Sequence, residues 1–150
     1  MEKEKLNKLK IKIDKYIEKY FIEEELCICK STTASIAEFE TAPTFQETLL
    51  KFIDTRGLDD VTVYKKADID RKLFSKIRSN VDYSPKKATV IKLVFGLELN
   101  LSDANTLLES AGYSLSRSIM KDVIVMYFIE HKMYNIDDLY QVLYEYGLEL

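Results

Sequence analysis

The stretch ADIDRKLFSKIRSN, residues 67–80, decides how this chain is read. Its first half, with Asp68 and Asp70 around Ile69, suits a tight turn. Asp tolerates the left-handed backbone better than most residues, and Asp is a good N-cap. Its second half has a helical period. Leu73 or Phe74 and Ile77 fall on one side, and Arg71, Lys72, Ser75, Lys76 and Arg78 are left for the other. The expectation is a turn followed by a short basic helix anchored by Phe74 and Ile77.

Working outward, the flanking segments also read as helices. Residues 59–68, DDVTVYKKAD, predict a short helix before the turn, with Asp59 or Asp60 at its start. Before that, TFQETLLKFIDTRG (44–57) offers Thr44 as N-cap, Glu47 three residues on as a capping box, and Gly57 as C-terminal cap. After the turn, SPKKATVIKLVFGLEL (84–99) places Ser84 as N-cap and Pro85 at the first helical position. NLSDANTLLESAG (100–112) starts at Asn100 and closes at Gly112. SRSIMKDVIVMYFIEHKM (116–133) and NIDDLYQVLYEYG (135–147) complete the set, the latter ending at Gly147. The first segment, Lys3 to about Glu25, carries a stripe of Leu6, Leu9, Ile13, Tyr16, Ile17 and Tyr20 at steps of three and four. A helix of that length is marginal alone in water, so the stripe should dock on the domain or on a second copy. Residues 30–44 are small and polar, with Pro43 near the end. They read as a linker, which divides the chain into residues 1–43 and 44–150. A short strand at ELCIC (25–29) is a further possibility.

Composition agrees with an all-α protein. The chain has 150 residues, 47% of them apolar and 31% charged, enough for a core and a solvated surface. Only 4 Gly and 2 Pro leave little material for the turns of a many-stranded fold. No apolar run reaches the roughly 18–20 residues of a membrane span, and the charged start does not read as a secretory signal. The expected location is the cytoplasm. Cys27 and Cys29 with the single His131 fall short of the four ligands of a structural zinc site and read as reduced thiols. No metal or cofactor is expected.

Charge is unevenly spread over a net −3. Residues 62–92 hold nine Lys/Arg against three Asp/Glu, and residues 93–150 hold three against nine. The basic block coincides with residues 67–80 and is the footprint expected where phosphates dock. Catalytic signatures are missing: there is no glycine-rich phosphate loop, no GxSxG and no HExxH. The pairs Asp59/Asp60 and Asp137/Asp138 stand at predicted helix starts, where carboxylates offset the helix dipole. The expectation is a non-enzyme.

The order and length of five helices from residue 44 to 112, with the short second and third joined by a tight turn, resembles the lambda-repressor-like (Cro/C1-type, XRE) helix-turn-helix domain. The resemblance implies a five-helix core, extended here by the N-terminal amphipathic helix and two further C-terminal helices. It implies a regulator that binds double-stranded DNA as a homodimer. Arg71, Lys72, Ser75 and Lys76 would approach bases, and Lys65, Lys66, Arg78, Lys86 and Lys87 would hold phosphates. Two positions depart from the family pattern. Tyr64 stands where a small residue is usual, which implies wider helix packing, and Asp68 stands where Gly is usual. The stretch from residue 60 (DVTVYKKADIDRKLFSKIRSN) through SLS at 114–116 also resembles an accessory helical module found at the ends of uncharacterised bacterial proteins. That likeness implies interaction or nucleic-acid binding. Five tyrosines, Tyr127, Tyr134, Tyr140, Tyr144 and Tyr146, crowd the last two helices. Tyrosine favours protein interfaces, so the alternative is a protein-interaction module on the same scaffold. Its working surfaces would be these tyrosines and the N-terminal stripe.

Overall fold

The computed structural model describes residues 2–23 and 42–150, excepting the side chains of residues 20–23. Cys27, Cys29, the ELCIC stretch and the Tyr20 side chain therefore lie outside what is described here. Within the described residues the chain forms eight helices and no strand: α1 (Lys3–Glu23), α2 (Phe45–Arg56), α3 (Asp60–Lys66), α4 (Arg71–Ser79), α5 (Lys87–Leu97), α6 (Leu101–Ser110), α7 (Met120–Glu130) and α8 (Ile136–Glu145). None of them is long and apolar enough to cross a membrane.

Two helices form the centre. In α5, Val90, Ile91, Leu93, Val94, Phe95 and Leu97 are all buried, and in α7 every residue from Asp122 to Ile129 is buried. A helix apolar on all sides must be covered on all sides. Accordingly α5 is flanked by α2, α3 and α6, and α7 by α1, α6 and α8. The N-terminal stripe behaves as its spacing predicts. Ile13 and Ile17 join the same core as the later helices. Tyr16 meets the Tyr127 ring edge-on at 5.2 Å.

Local signals hold at several ends. Thr44 and Glu47 form the full capping box, and Asn100 and Asn135 cap α6 and α8 with their side chains. Six helix ends share one device, in which the residue at or just after the C-cap turns left-handed. Its N–H and the next N–H then return to carbonyls of the last turn. Gly57, Gly112 and Gly147 do this at little cost, with φ of 62°, 82° and 68°. Asp68, Glu98 and Lys132 do it as well, with φ of 54°, 52° and 54°, which for an L side chain costs about 1–2 kcal/mol each. The tolerance expected of Asp68 is thus used. That Glu98 and Lys132 adopt the same conformation is not readable from residue type.

Other expectations need correction. α5 does not start at Ser84 and Pro85. Lys86 occupies the N-cap position in an extended conformation, without a side-chain cap. The Tyr113 hydroxyl donates to the Pro85 carbonyl at 2.8 Å, which holds this residue to the α6–α7 connection instead of a helical turn. α7 starts at Met120, not at residue 116, because the Asp122 carboxylate reaches back to accept from the Ser116 N–H at 2.9 Å. Phe74 and Ile77, the expected anchors of the basic helix, are buried, as are Val94 and Leu107, whereas Phe52 is half-buried.

Gly96 sits at a close helix contact. A Cβ there would lie 2.8 Å from both the Ala67 Cβ and the Val63 carbonyl oxygen. α5 therefore comes within backbone contact of the end of α3 at this residue. Tyr64 is not at this crossing. It is half-buried and tilts onto Phe74, with ring centroids 5.7 Å apart.

Candidate nucleic-acid interface

The chemistry of the 67–80 stretch depends on how rigidly α4 is held. Phe74 at 3% exposure and Ile77 at 0% anchor its inner face. Its first turn follows the left-handed Asp68, where the Ile69 N–H donates to the Tyr64 carbonyl at 2.9 Å. Asp70 stands at the N-cap position, but its side chain makes no capping bond. The other end is capped from outside: the buried Gln46 of α2 donates its side-chain amide to the Arg78 carbonyl. This removes one of the unsatisfied carbonyls that every helix end leaves. Arg78 itself donates to Asp60 Oδ1 at 2.7 Å and ties the end of α4 to the start of α3.

The turn has a further support. The Tyr140 hydroxyl of α8 donates to Asp68 Oδ2 at 2.8 Å. Burial, then this hydrogen bond and the nearby carboxylates, push the Tyr140 hydroxyl well above the usual tyrosine range. Tyr146 is raised for the same reasons, with burial first and its bond to Asp14 second. At the start of α3, the Thr62 hydroxyl donates to the Asp59 carboxylate and holds it below the usual range.

The nine residues predicted to touch DNA fall into two groups. Arg71, Lys72, Ser75 and Lys76 are all exposed on the outer face of α4, and among the described residues none of the three cations forms an ion pair. Lys65 and Lys86 are likewise exposed and unpaired. The other three are engaged within the protein. Arg78 pairs with Asp60 at 2.7 Å, Lys66 with Glu98 at 3.5 Å, and Lys87 with Asp122 at 2.6 Å. The last pair is of a different kind, because the Asp122 side chain is only 1% exposed and Lys87 neutralises it inside the fold. The surface pairs of Arg78 and Lys66 are worth about 0–1 kcal/mol and can open to another anion.

The tyrosines, read from the sequence as a candidate surface, are mostly structural. Tyr127 is buried. Tyr134 donates to the Leu99 carbonyl at 2.8 Å, Tyr140 to Asp68, and Tyr146 to Asp14 at 2.6 Å. Tyr144 differs, with 79% of its surface exposed. His131 stacks on Tyr127 with ring centroids 4.0 Å apart, and its Nδ1 lies 2.9 Å from the Tyr127 carbonyl. Among the described residues no cluster of His, Cys, Asp and Glu suits a metal ion.

Two residues that shape this region, Gln46 and Gly96, carry no functional signal of their own in the sequence. A glycine inside a helical pattern does mark a packing constraint. A glutamine beside Phe45 gives no such hint. Comparison of the chain with protein-family models, with curated proteins and with solved structures returns no match.

Proposed function

We propose that the chain is a DNA-binding regulator of the helix-turn-helix class, with α3 and α4 as the motif and α4 as the reading helix in the major groove. One observation carries this reading. Arg71, Lys72, Ser75 and Lys76 share an exposed face, without acidic partners, on a helix whose opposite face is locked by Phe74 and Ile77. An α-helix fits the major groove, and Arg, Lys and Ser are residues that contact base edges there. Lys65 and Lys86 are the unpaired candidates for phosphate contact. Arg78 and Lys66 can serve once their surface pairs open, and Lys87 is occupied by Asp122. The five-helix core from α2 to α6 is assigned to the lambda-repressor-like arrangement on the same reading. A dimer would address half-sites about 34 Å apart.

The test is a titration on duplex DNA over a range of salt concentrations. Affinity should fall with salt at a log–log slope of about −0.9 per neutralised phosphate. Lys86→Ala should weaken all sequences alike and flatten the slope by roughly one. Arg71→Ala or Lys72→Ala should weaken a selected site by about 1–3 kcal/mol more than random DNA. Weak binding that is equal for the wild type and Arg71→Ala would refute the proposal.

A further inference from the structure

Three non-glycine residues hold a left-handed backbone among those described, and they gather round one cleft. Glu98 and Lys132 line it, with φ of 52° and 54°. Asp68, with φ of 54°, donates its N–H to the Lys65 carbonyl at 3.2 Å and so closes the helix that carries two more lining residues, Lys65 and Lys66. Glycine would relieve the strain at each position, as Gly57, Gly112 and Gly147 do at other helix ends. Strain of this kind collects at functional sites.

The cleft holds about 410 Å³ between the end of α3 and the connection from α7 to α8. Ligand sites run about 300–1,000 Å³. Three lysines line it, Lys65, Lys66 and Lys132, against two carboxylates, Glu98 and Asp137. Asp137 belongs to the first turn of α8, where a carboxylate offsets the helix dipole. Glu98 pairs with Lys66 at 3.5 Å, with both side chains about half exposed. A pair this open is worth little and yields to a stronger anion. Lys65 and Lys132 are exposed and form no ion pair among the described residues. The last turn of a helix favours lysine, which accounts for Lys65 and Lys66 but not for Lys132, brought to them from the turn after α7. That turn is held in place. The Tyr134 hydroxyl donates to the Leu99 carbonyl at 2.8 Å, and its ring meets Phe95 edge-on at 6.1 Å.

We propose that this cleft is a phosphate site, in which Lys65, Lys66 and Lys132 share one phosphate or diphosphate group. The lysine ammonium is a point charge that binds phosphate without a fixed approach direction. Lys66 leaves Glu98 as the anion enters. The group comes either from a DNA backbone or from a free phosphorylated molecule. The first source rests on the helix-turn-helix reading and carries its footprint to the α7–α8 connection; the second does not rest on it.

The experiment has two arms, both on the full chain. In the first, pyrophosphate is titrated in and followed by NMR shifts of backbone amides and lysine side chains. The expected result is a saturating change centred on Lys65, Lys66 and Lys132. Lys132→Gln should raise the dissociation constant roughly tenfold, the loss of one charge-assisted hydrogen bond, and Lys132→Arg should keep most of the affinity. Lys132→Gly should lose as much affinity while melting no lower than the wild type, which a merely structural lysine would not do. Glu98→Gln should tighten binding by up to roughly fivefold, because the competing carboxylate is gone. In the second arm, duplex DNA is titrated over a range of salt concentrations. A log–log slope that Lys132→Gln flattens by roughly one assigns the site to the DNA backbone. Saturation by pyrophosphate with an unchanged slope assigns it to a free phosphorylated ligand. Shifts that spread over the α1 lysines without saturating, with no effect of the Lys132 variants on DNA binding, overturn the inference. So do a pyrophosphate affinity and a salt slope that Lys132→Gln and Lys132→Gly both leave intact. A protein that binds pyrophosphate here but no DNA keeps the site and loses the helix-turn-helix reading. DNA binding that depends on Arg71 but not on Lys132, with no pyrophosphate bound, does the reverse.

Discussion

Replacing Gly96 by Ala tests the central packing of the fold. In an exposed helix this change stabilises by about 0.8–1 kcal/mol, because Gly loses more backbone freedom on folding. Here the added methyl would sit 2.8 Å from the Ala67 Cβ, 2.8 Å from the Val63 carbonyl oxygen and 3.1 Å from the Ala67 nitrogen. Two of those three atoms are backbone, so a rotamer change cannot relieve them. α3 must move away from α5, and overpacking of this kind costs about 1–3 kcal/mol or more. With the contact near the top of that range and the propensity gain subtracted, the net loss is about 2 kcal/mol. A domain of this size shifts by about 2–4 °C per kcal/mol, so the melting temperature should fall by about 4–8 °C. Urea unfolding should show a lower midpoint with an unchanged m-value. The double variant Gly96→Ala, Ala67→Gly removes the Cβ contact but leaves the Val63 carbonyl, so it should recover only part of the loss. A Gly96→Ala protein as stable as the wild type, or more so, would refute a close α3–α5 approach. Displacement of α3 also moves the turn before α4, so any DNA affinity should fall with the stability.

Lys132→Gly should stabilise by about 0.5–1 kcal/mol, because relief of a left-handed L-residue outweighs the greater flexibility of unfolded Gly; a lower melting temperature would contradict this. Lys87→Met should destabilise by about 2–4 kcal/mol, as it leaves the buried Asp122 carboxylate unpaired. Lys87→Met with Asp122→Leu should recover most of that loss in chemical denaturation, since an apolar pair of similar size can replace an ion pair.

The features legible in the sequence are those written within a few residues. The capping box of Thr44 and Glu47, the Asn100 cap and the glycine ends at Gly57, Gly112 and Gly147 are each encoded in four to six positions of chain. The outer face of α4 was readable for the same reason. Phe74 and Ile77 mark the inner side, and helical periodicity then leaves Arg71, Lys72, Ser75 and Lys76 outside. The engagement of Arg78, Lys66 and Lys87 was not readable. Arg78 finds Asp60 18 residues away, and Lys87 finds Asp122 35 residues away. Residue type alone cannot show which lysine of a basic block meets a carboxylate. The late tyrosines show the same gap, since four of the five prove to be buried or bonded internally.

By itself, then, the sequence determined the all-helical character of the described residues, the approximate helices, the caps that rest on local chemistry, and the basic face of the helix at residues 71–79. Those follow from backbone geometry and side-chain alternation, which act over one or two turns. Tertiary structure decided the rest. It set the start of α5 through the Tyr113 bond to Pro85 and placed the α3–α5 crossing at Gly96. It braced the turn at Asp68 with Tyr140, 72 residues away, and left Tyr144 exposed. Each of these depends on which helix faces come together, and that choice is made by burial of the whole apolar set at once, not by any single segment.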